Sequence, residues 1–379
     1  MDRLERPRFF YFDFWLLGAT LLLTGIGILM IYSATECMTG EPLDWSSPTV
    51  RQGLYALVAL GVLFLLALID YRVFISLRWV LWVGIVGLLA VVFVIGQVTF
   101  GAQRWIDLRF FLFQPSELSK LVLVLVVAEY IARHRAEGGN RRHLAISLGL
   151  MAPPILLVYL QPDLGTTIII GATWGLMVLA AGIRWREALL LITVVAVLAP
   201  LLWANLRPYQ QERILTFLDP MRDPLGSGYN VTQARIALGS GGFWGEGFCS
   251  GPQSQLRFLR IRQTDFIFAV LGEELGFSGA VFVIALYAFI LSRLLRIAAL
   301  ARDEYGSLVV IGIAAMLFVQ SYVNMGMNVG LLPVVGIPLP FISAGGSSLM
   351  TLYAAQGIAQ SVLMHHRDLR LEGAGQRYD

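Results

Sequence analysis

Lys120 is the single lysine among the 28 basic side chains of this 379-residue sequence, and it follows Glu117 by three residues at the start of an apolar run. On a helix, this spacing puts the ammonium and the carboxylate on one face. Two interpretations remain open: an ion pair at a helix N-terminus, or part of an anion-binding site. Ser116 lies four residues before Lys120, but the SxxxK spacing differs from SxxK and no KTG or SDN follows. The pattern therefore does not favour covalent serine catalysis.

Asp265 is a second candidate, at the end of a long polar segment and at the outer boundary of another apolar run. A carboxylate at a membrane boundary reaches water, and partial desolvation can bring its pKa into the range of a general base. A role as helix N-cap, in competition with Thr264, is the alternative. Glu273 and Glu274 lie deeper in the run, where structural pairing is the favoured interpretation. Asp163 in YLQPDLG is typical of a helix cap.

Arginines fall in the connections on the same predicted side: Arg51, Arg104 beside Trp105 in GAQRWIDL, and Arg213. A guanidinium forms paired hydrogen bonds with phosphate oxygens, so together with Lys120 they could form a cationic pocket for phosphate groups. Each arginine alone is more often solvated or in contact with lipid headgroups. The four histidines lie in or beside the connections of the other side, so acid–base chemistry here falls to carboxylates.

The elements that must position these groups are membrane helices. The chain is 57% hydrophobic and 14% charged, whereas soluble domains carry about 25% charged residues. Ten apolar runs are long enough to cross about 30 Å of hydrocarbon. They cover residues 14–34, 53–69, 79–97, 116–133, 143–160, 164–182, 187–204, 265–292, 307–330 and 346–364. The sequence thus predicts one all-α polytopic membrane domain over residues 1–379, without the internal repeat typical of many transporters.

The distribution of arginine predicts the topology. One set of connections holds seventeen of the twenty-seven arginines, which are the 28 basic residues less one lysine. By the positive-inside rule these connections and both termini are cytoplasmic. The first apolar run has no small-residue cleavage site, so we expect it to remain as the first helix. The net charge of +3 then reflects topology and gives no reason to expect nucleic acid as a partner.

The connection 205–263, between helices seven and eight, is predicted to be extracytoplasmic and far exceeds the usual length of about 4–6 residues. It contains a predicted amphipathic helix on the membrane surface at 208–220 and a second helix at 229–240. The glycines of GSGGFWGEGFCSG favour a flexible or tightly turned lid. Cys37 and Cys249 both fall on this outer face; a disulfide is conceivable, but two unpaired thiols are the favoured interpretation.

Five segments together resemble the signature segments of the SEDS proteins RodA, FtsW and SpoVE: GAQRWIDLRFFLFQPSELSK, YLQPDLGT, RILTFLDPMRDPLGSGYNVTQARIALGSGGFWGEG, TDFIFAVLGEELGF and NMGMNVGLLPVVGIPLPFISAGGSS. The compact N-terminus and short tail are more similar to RodA than to FtsW. The resemblance implies a peptidoglycan glycosyltransferase that polymerises lipid II at the outer face of the bacterial cytoplasmic membrane during elongation, releasing undecaprenyl pyrophosphate. It also implies a class B penicillin-binding protein, which supplies cross-linking, and other elongation-machinery proteins as partners.

The resemblance implies a catalytic role for Asp265. Substrate-binding roles are implied for Glu117, Lys120, Arg104, Trp105, Arg51 and Arg213. No organic cofactor is implied, and a divalent cation (Mg or Mn) at Glu117 or Asp265 is an alternative to the cationic side chains for stabilising the departing pyrophosphate. The chain departs from the family pattern at Gln263, where a histidine is common, and at Ala344, where a tyrosine is common.

Other functions stay open at this point. A lipid II flippase or transporter would also use buried charges, and a non-catalytic scaffold would need none of them. The lack of a repeat and the gathering of charges at the outer rim favour the enzyme. A division role, as in FtsW, is an alternative to elongation, and the residues do not assign donor and acceptor sites.

Overall fold

The computed structural model describes residues 11–37, 43–99, 102–107, 111–134, 141–219, 222, 226–256, 258, 259 and 261–366. Its elements are α1 (Phe14–Thr35), α2 (Pro48–Leu68), α3 (Val73–Ile95), β1 (Gln97–Thr99), β2 (Ala102–Asp107), β3 (Leu112–Phe113), α4 (Pro115–His134), α5 (Arg141–Leu160), α6 (Leu164–Ala180), α7 (Trp185–Asn205), α8 (Pro208–Leu218), α9 (Ser227–Ser240), α10 (Pro252–Gln255), α11 (Ile267–Leu300), α12 (Glu304–Asn328) and α13 (Gly346–Met364). A helix thus lies at each of the ten predicted runs.

Within the described part of the chain, six helices are long and apolar enough to cross a membrane: α1, α2, α3, α5, α11 and α12. The chain is therefore a multi-pass helical membrane protein, whereas ten crossings and the cytoplasmic location of the termini stay predictions. The small antiparallel sheet β1-β2-β3 was not expected from the sequence. Helices α8 and α9 confirm the two short helices predicted in the long connection.

Burial differs sharply between the helices. Helix α4 is buried from Pro115 to Glu129 except at Leu118, and α13 is buried from Ser347 to Met364 except at Met350. By contrast α3 exposes Val80 and Val94 among many apolar side chains. A helix that is buried all round forms the core of a bundle, and an apolar exposed face is what lipid would cover. The candidate residues of α4 consequently lie on a core helix.

Helices α4, α6, α11 and α13 begin at one end of the bundle, where hydrogen bonds link their starts. The Gln114 backbone N–H donates to Ser347 Oγ at 3.0 Å, and the Gln114 side-chain amide donates to Asp163 Oδ2 at 3.1 Å. The Ala344 N–H donates to the Gln263 carbonyl at 2.9 Å, so the two positions that depart from the family pattern contact each other. Helix N-termini carry partial positive charge, and this end of the bundle therefore favours anions.

Helix α11 is broken at Gly276, whose φ of 67° and ψ of −165° suit glycine and no ordinary residue. The glycine-rich segment 241–247 satisfies the backbone groups freed by the break. The N–H groups of Glu246 and Gly247 donate to the carbonyls of Glu273 and Glu274 at 3.0 and 3.1 Å. The segment is thus tightly turned, one of the two predicted forms, and is packed against a helix.

The side chains of Glu273 and Glu274 bind α10, which follows the glycine-rich segment, and the end of α1. Glu273 accepts hydrogen bonds from the backbone N–H groups of Gln253 at 2.6 Å and Ser254 at 3.0 Å. Glu274 accepts from the Ser33 hydroxyl and from the side-chain amide of Gln255 at 3.3 Å. The structural role favoured from the sequence is confirmed for both carboxylates.

The expectation of two unpaired thiols is wrong, because Cys37 and Cys249 form a disulfide with their Cα atoms 6.0 Å apart. This distance lies in the usual range for a disulfide. The residues are 212 apart in sequence and meet because the glycine-rich segment docks on α11 beside the end of α1. Tyr32 and Phe248 stack next to the bond with ring centroids 6.4 Å apart. Sequence spacing alone gives no sign of this docking.

Candidate active site

Asp265 lies immediately before α11 at the end of the bundle where the four helices begin. Its backbone carbonyl accepts hydrogen bonds from the side-chain amides of Asn324 at 3.1 Å and Asn328 at 2.9 Å, both fully buried on α12. The Ser343 hydroxyl donates to the preceding carbonyl, that of Thr264, at 2.6 Å. These bonds fix the residue to a rigid core helix. Sequence reasoning missed the asparagines, although NMGMN in an apolar run is the signal that points to them.

Arg213 on α8 lies close to the Asp265 carboxylate, as the predicted cationic rim requires. A Cβ added at Gly336 would sit 3.5 Å from Asp265 Oδ2 and 3.8 Å from Arg213 Nη1. The φ of Gly336 is +71°, a conformation that favours glycine, and the missing side chain leaves the space between the two groups open. Arg213 also approaches the Val334 carbonyl at 3.5 Å and lies 5.9 Å from the Tyr209 ring centroid.

The surroundings of Asp265 raise its pKa from the ordinary 3.8 to about 6. Desolvation by the surrounding protein is the main cause, although the side chain stays partly exposed, and the negative charge of Asp163 acts in the same direction. The charges of Arg213 and Arg104 and a hydrogen bond from Thr264 lower the pKa. A carboxyl group with this pKa is mostly ionised at pH 7 and is still basic enough to accept a proton during a reaction.

A narrow cleft that opens to solvent lies beside Arg213, and its empty space, counted together with the open part, is about 340 Å³. Its lining includes Arg104, Arg213, Tyr209 and the segment 333–335. Two guanidinium groups on the wall of an open cavity suit a phosphate-bearing ligand, because each can form paired hydrogen bonds with phosphate oxygens.

Arg104 on β2 is held by the turn between α5 and α6. Its Nε donates to the Gln161 carbonyl at 2.9 Å, and Nη2 donates to the Pro162 carbonyl. Nη1 lies 4.0 Å from Asp163 Oδ1. The guanidinium is therefore oriented before any ligand binds. Trp105, the next residue on β2, is partly buried, and its substrate-binding role stays a prediction.

Glu117 and Lys120 form the predicted ion pair, with Glu117 Oε2 and Lys120 Nζ 2.9 Å apart and only 4% and 3% of the two residues exposed. The ammonium also donates to Gln320 Oε1 on α12 at 2.9 Å. Gln320 in turn donates to the Pro338 carbonyl at 3.0 Å. The pair thus joins α4 to α12 inside the bundle and does not line the cavity beside Arg213. Direct contact of Lys120 with substrate stays a prediction.

The hydroxyl of Ser116 is engaged away from Lys120. It donates to Asp163 Oδ2 at 3.3 Å and accepts from the Gln114 side-chain amide at 3.0 Å. This arrangement agrees with the sequence argument against a serine–lysine nucleophile.

Arg51 lies at the start of α2 and is exposed, with its Nε donating to the Trp45 carbonyl at 3.3 Å. The neighbouring Gln52, which sequence reasoning did not select, is buried and donates to the Ser343 carbonyl at 3.2 Å. Through Ser343, Gln52 is tied to the backbone beside Asp265. The contacts of Arg51 do not bring it to Asp265, and its role stays a prediction.

A divalent cation held by the protein alone does not fit the described residues. Among them, no group of three or more His, Cys, Asp or Glu side chains could hold a metal ion. The carboxylate of Glu117, one of the two predicted ligands, is bound to Lys120. A cation at Asp265 that draws most of its ligands from a pyrophosphate stays a prediction, and the mechanism proposed below uses only side chains of the chain.

Fold and site together define a multi-pass helical membrane protein with a carboxylate of raised pKa and two guanidinium groups at one end. The family model for FtsW, RodA and SpoVE, described as "Cell cycle protein", matches residues 14–368. Because the match covers nearly the whole length, the chain belongs to this family, and the resemblance found in the sequence is confirmed.

Individual relatives match over similar lengths. Peptidoglycan glycosyltransferase MrdB of Escherichia coli (strain K12) is 40% identical over 354 residues, which are 93% of this chain and 95% of that protein. Stage V sporulation protein E of Bacillus subtilis (strain 168) is 36% identical over 361 residues, 94% of this chain and 98% of that protein.

Solved structures agree with the fold. The crystal structure of the Thermus thermophilus rod shape determining protein RodA has a TM-score of 0.68 and 29% identity, with 96% of this chain and 99% of that chain covered. A chain from a peptidoglycan synthase complex, described as structural coordination of polymerization and crosslinking, has a TM-score of 0.81 and 32% identity, with 94% and 99% covered.

Proposed function

We propose that the chain is a peptidoglycan glycosyltransferase that polymerises lipid II at the outer face of the bacterial cytoplasmic membrane during cell elongation. Family membership and the activity named for its 40% identical relative support the reaction class. The observation in the structure that carries the proposal is Asp265, a carboxylate with a pKa of about 6 beside Arg213. Asp265 supplies a base, and Arg213 supplies a cation beside it.

The reaction requires one displacement with inversion. The 4-hydroxyl oxygen of one saccharide attacks the anomeric carbon of a pyrophosphate-linked sugar, and an α bond is replaced by a β bond. A new carbon–oxygen bond forms, the hydroxyl proton passes to the Asp265 carboxylate, and the electron pair of the breaking bond leaves with the pyrophosphate. General base catalysis of this kind contributes roughly 10²–10⁴-fold to a rate.

The leaving pyrophosphate gains negative charge as its bond breaks. Arg213 and Arg104 stabilise this charge, together with the positive ends of α4, α6, α11 and α13. Because Arg104 is already bound to the 161–163 turn, little reorganisation is needed during the reaction. Lys120 is buried and gives two of its three ammonium hydrogens to Glu117 and Gln320, so we assign the pair first to holding α4 against α12.

A class B penicillin-binding protein is the proposed partner, together with other elongation-machinery proteins. The chain makes linear glycan in this proposal, and cross-linking must come from another protein. The similar solved chain belongs to a peptidoglycan synthase complex described as coordinating polymerization and crosslinking, which supports such a pairing.

Reconstitution tests the proposed function. The purified chain is placed in vesicles with a class B penicillin-binding protein and lipid II labelled on its sugar, and products are separated by size while the label is located across the bilayer. Long glycan is the expected product. Translocated monomer without polymer would identify a flippase, and neither product would identify a scaffold. The partner alone and vesicles without protein are the controls.

A further inference from the structure

We infer that Asp163 is a positioning residue of this site, which fixes Arg104 and the start of α4 relative to Asp265. The inference rests on the proposed function, because it assigns Asp163 to the site that performs the glycosyl transfer. From the sequence Asp163 is only a helix cap, and the structure confirms that cap: Oδ1 accepts from the Thr166 N–H at 3.1 Å.

The contacts of Asp163 exceed what a cap requires. A helix N-cap needs one bond, from its side-chain oxygen to a backbone N–H of the first turn. Here Oδ2 also accepts from Thr166 Oγ1 at 3.0 Å, from the Gln114 amide at 3.1 Å and from Ser116 Oγ at 3.3 Å. The carboxylate is 4% exposed and connects the start of α6 with the start of α4.

Asp163 also lies beside Arg104. Its Nη1 lies 4.0 Å from Asp163 Oδ1, while Nε and Nη2 bind the carbonyls of Gln161 and Pro162. The turn that ends in Asp163 therefore determines where the guanidinium points. Arg104 lines the same cavity as Arg213, so moving the turn would move one of the two cations away from the other.

Charged groups of both signs act on Asp265. The groups that act electrostatically on Asp265 are Arg213 from α8, Arg104 from β2 and Asp163 from the α5–α6 turn, with a hydrogen bond from Thr264 in addition. The negative charge of Asp163 raises the pKa of Asp265, whereas Arg213 and Arg104 lower it. Removing the charge of Asp163 should therefore lower the pKa of the base, an effect that a purely mechanical cap would not have.

The test is Asp163→Asn in the full-length chain reconstituted with its partner and labelled lipid II. Asparagine is itself a good N-cap, so the variant should fold. We expect a polymerisation rate at pH 7 at least tenfold below wild type, because Arg104 is displaced. We also expect the midpoint of the acid limb of the pH–rate profile to move to lower pH, because the loss of the Asp163 charge lowers the pKa of Asp265 by more than the displacement of Arg104 raises it.

Asp13→Asn is the matched control. Asp13 is also a buried N-cap, of α1, and pairs with an arginine, with Arg293 Nη2 at 2.7 Å from Oδ2. We expect this variant to leave the midpoint unchanged. A wild-type midpoint in Asp163→Asn, with or without loss of rate, would reduce Asp163 to a cap and overturn the inference.

If Asp163→Asn does not fold, Arg104→Gln tests the contact between Asp163 and Arg104 through the arginine. Because the Arg104 charge lowers the pKa of Asp265, its removal should move the acid midpoint to higher pH. An unmoved midpoint would overturn the inference. If wild type makes no polymer, or if Asp265→Asn matches it, the proposed function itself fails, which distinguishes the two outcomes.

Discussion

The pKa of Asp265 leads to a quantitative prediction for the pH dependence of polymerisation. The base must be ionised to accept the proton of the attacking hydroxyl, so the rate should follow the ionised fraction of Asp265. Burial raises the folded-state pKa to about 6, and the rate should therefore fall as pH decreases through this value. An aspartate at its ordinary pKa would not limit the rate until much lower pH.

The size of the effect follows from the two pKa values. With a pKa of about 6, roughly 90% of Asp265 is ionised at pH 7 and roughly 10% at pH 5, which predicts about a tenfold loss of rate. With the ordinary value of 3.8, the ionised fraction would fall by less than about 10% over the same range.

Initial rates of labelled glycan formation at saturating lipid II, from pH 4.5 to pH 8, measure this profile. A variant then tests whether the group that titrates lies beside Arg213, as Asp265 does. Arg213→Gln removes a charge that lowers the pKa of Asp265, and we expect its acid midpoint to lie above that of wild type. Arg222→Gln, on the same long connection and paired with Glu212 at 3.4 Å, is the matched control.

A rate that stays constant between pH 7 and pH 5 would refute the assignment of Asp265 as a base with a raised pKa. An acid limb whose midpoint is identical in wild type and Arg213→Gln would show that the titrating group does not lie beside Arg213 and is therefore not Asp265. The sign of the effect on folding is also defined: a raised carboxyl pKa stabilises the protonated folded form, and this contribution is lost as pH rises through 6. Neutralising Asp265 should therefore not destabilise the fold at pH 7.

Three further predictions concern the scaffold. Replacing Cys37 and Cys249 by serine should lower the unfolding temperature in detergent, because the disulfide restricts the unfolded chain. A bond between residues 212 apart stabilises the fold by at most about 5 kcal/mol through chain entropy. Lys120→Met leaves the buried Glu117 carboxylate unpaired and should cost roughly 3–5 kcal/mol, with polymerisation reduced accordingly, as thermal unfolding and glycan assays would show. Gly276→Ala should sharply reduce the yield of folded protein in size-exclusion chromatography, since φ is +67° and the added Cβ would overlap the Gly245 backbone.

Matched variants define the contradicting results. Gly84→Ala, where a Cβ meets no atom within 4 Å, should leave the yield unchanged, and equal yields for the two alanine variants would contradict the role of the α11 break. Arg72→Met removes a cation on the predicted cytoplasmic side, and an equal loss of polymerisation there would remove any special role for Lys120. An unfolding temperature that does not change on reduction of the wild type would contradict the disulfide.

Much of the fold is predictable because its signals are local. Apolar runs of spanning length give the positions of ten helices, and Pro208 with the apolar pattern behind it gives the short helix α8. The Glu117–Lys120 pair follows from helical spacing alone. Asp265 as a candidate follows from the cost of a carboxylate at a membrane boundary.

The remaining features depend on contacts between distant segments. The Cys37–Cys249 bond exists because residues 241–247 dock on the α11 break, and the residue types in these segments do not indicate that docking. The same holds for Asn328, whose amide holds the Asp265 carbonyl across 63 positions of sequence. The sequence groups Lys120 with the rim arginines, because a one-dimensional pattern does not show how deep a residue lies within the bundle.

Polymer formation by Asp265→Asn, compared with wild type and with Asp107→Asn, tests the central claim most directly. Both variants lose one carboxylate at the same end of the molecule, and Asp107 is exposed on β2. With purified chain, partner and labelled lipid II at pH 7, we predict that Asp265→Asn stays folded, as measured by thermal unfolding, and makes no detectable glycan, while Asp107→Asn polymerises like wild type. Near-wild-type glycan synthesis by a folded Asp265→Asn protein would contradict the account.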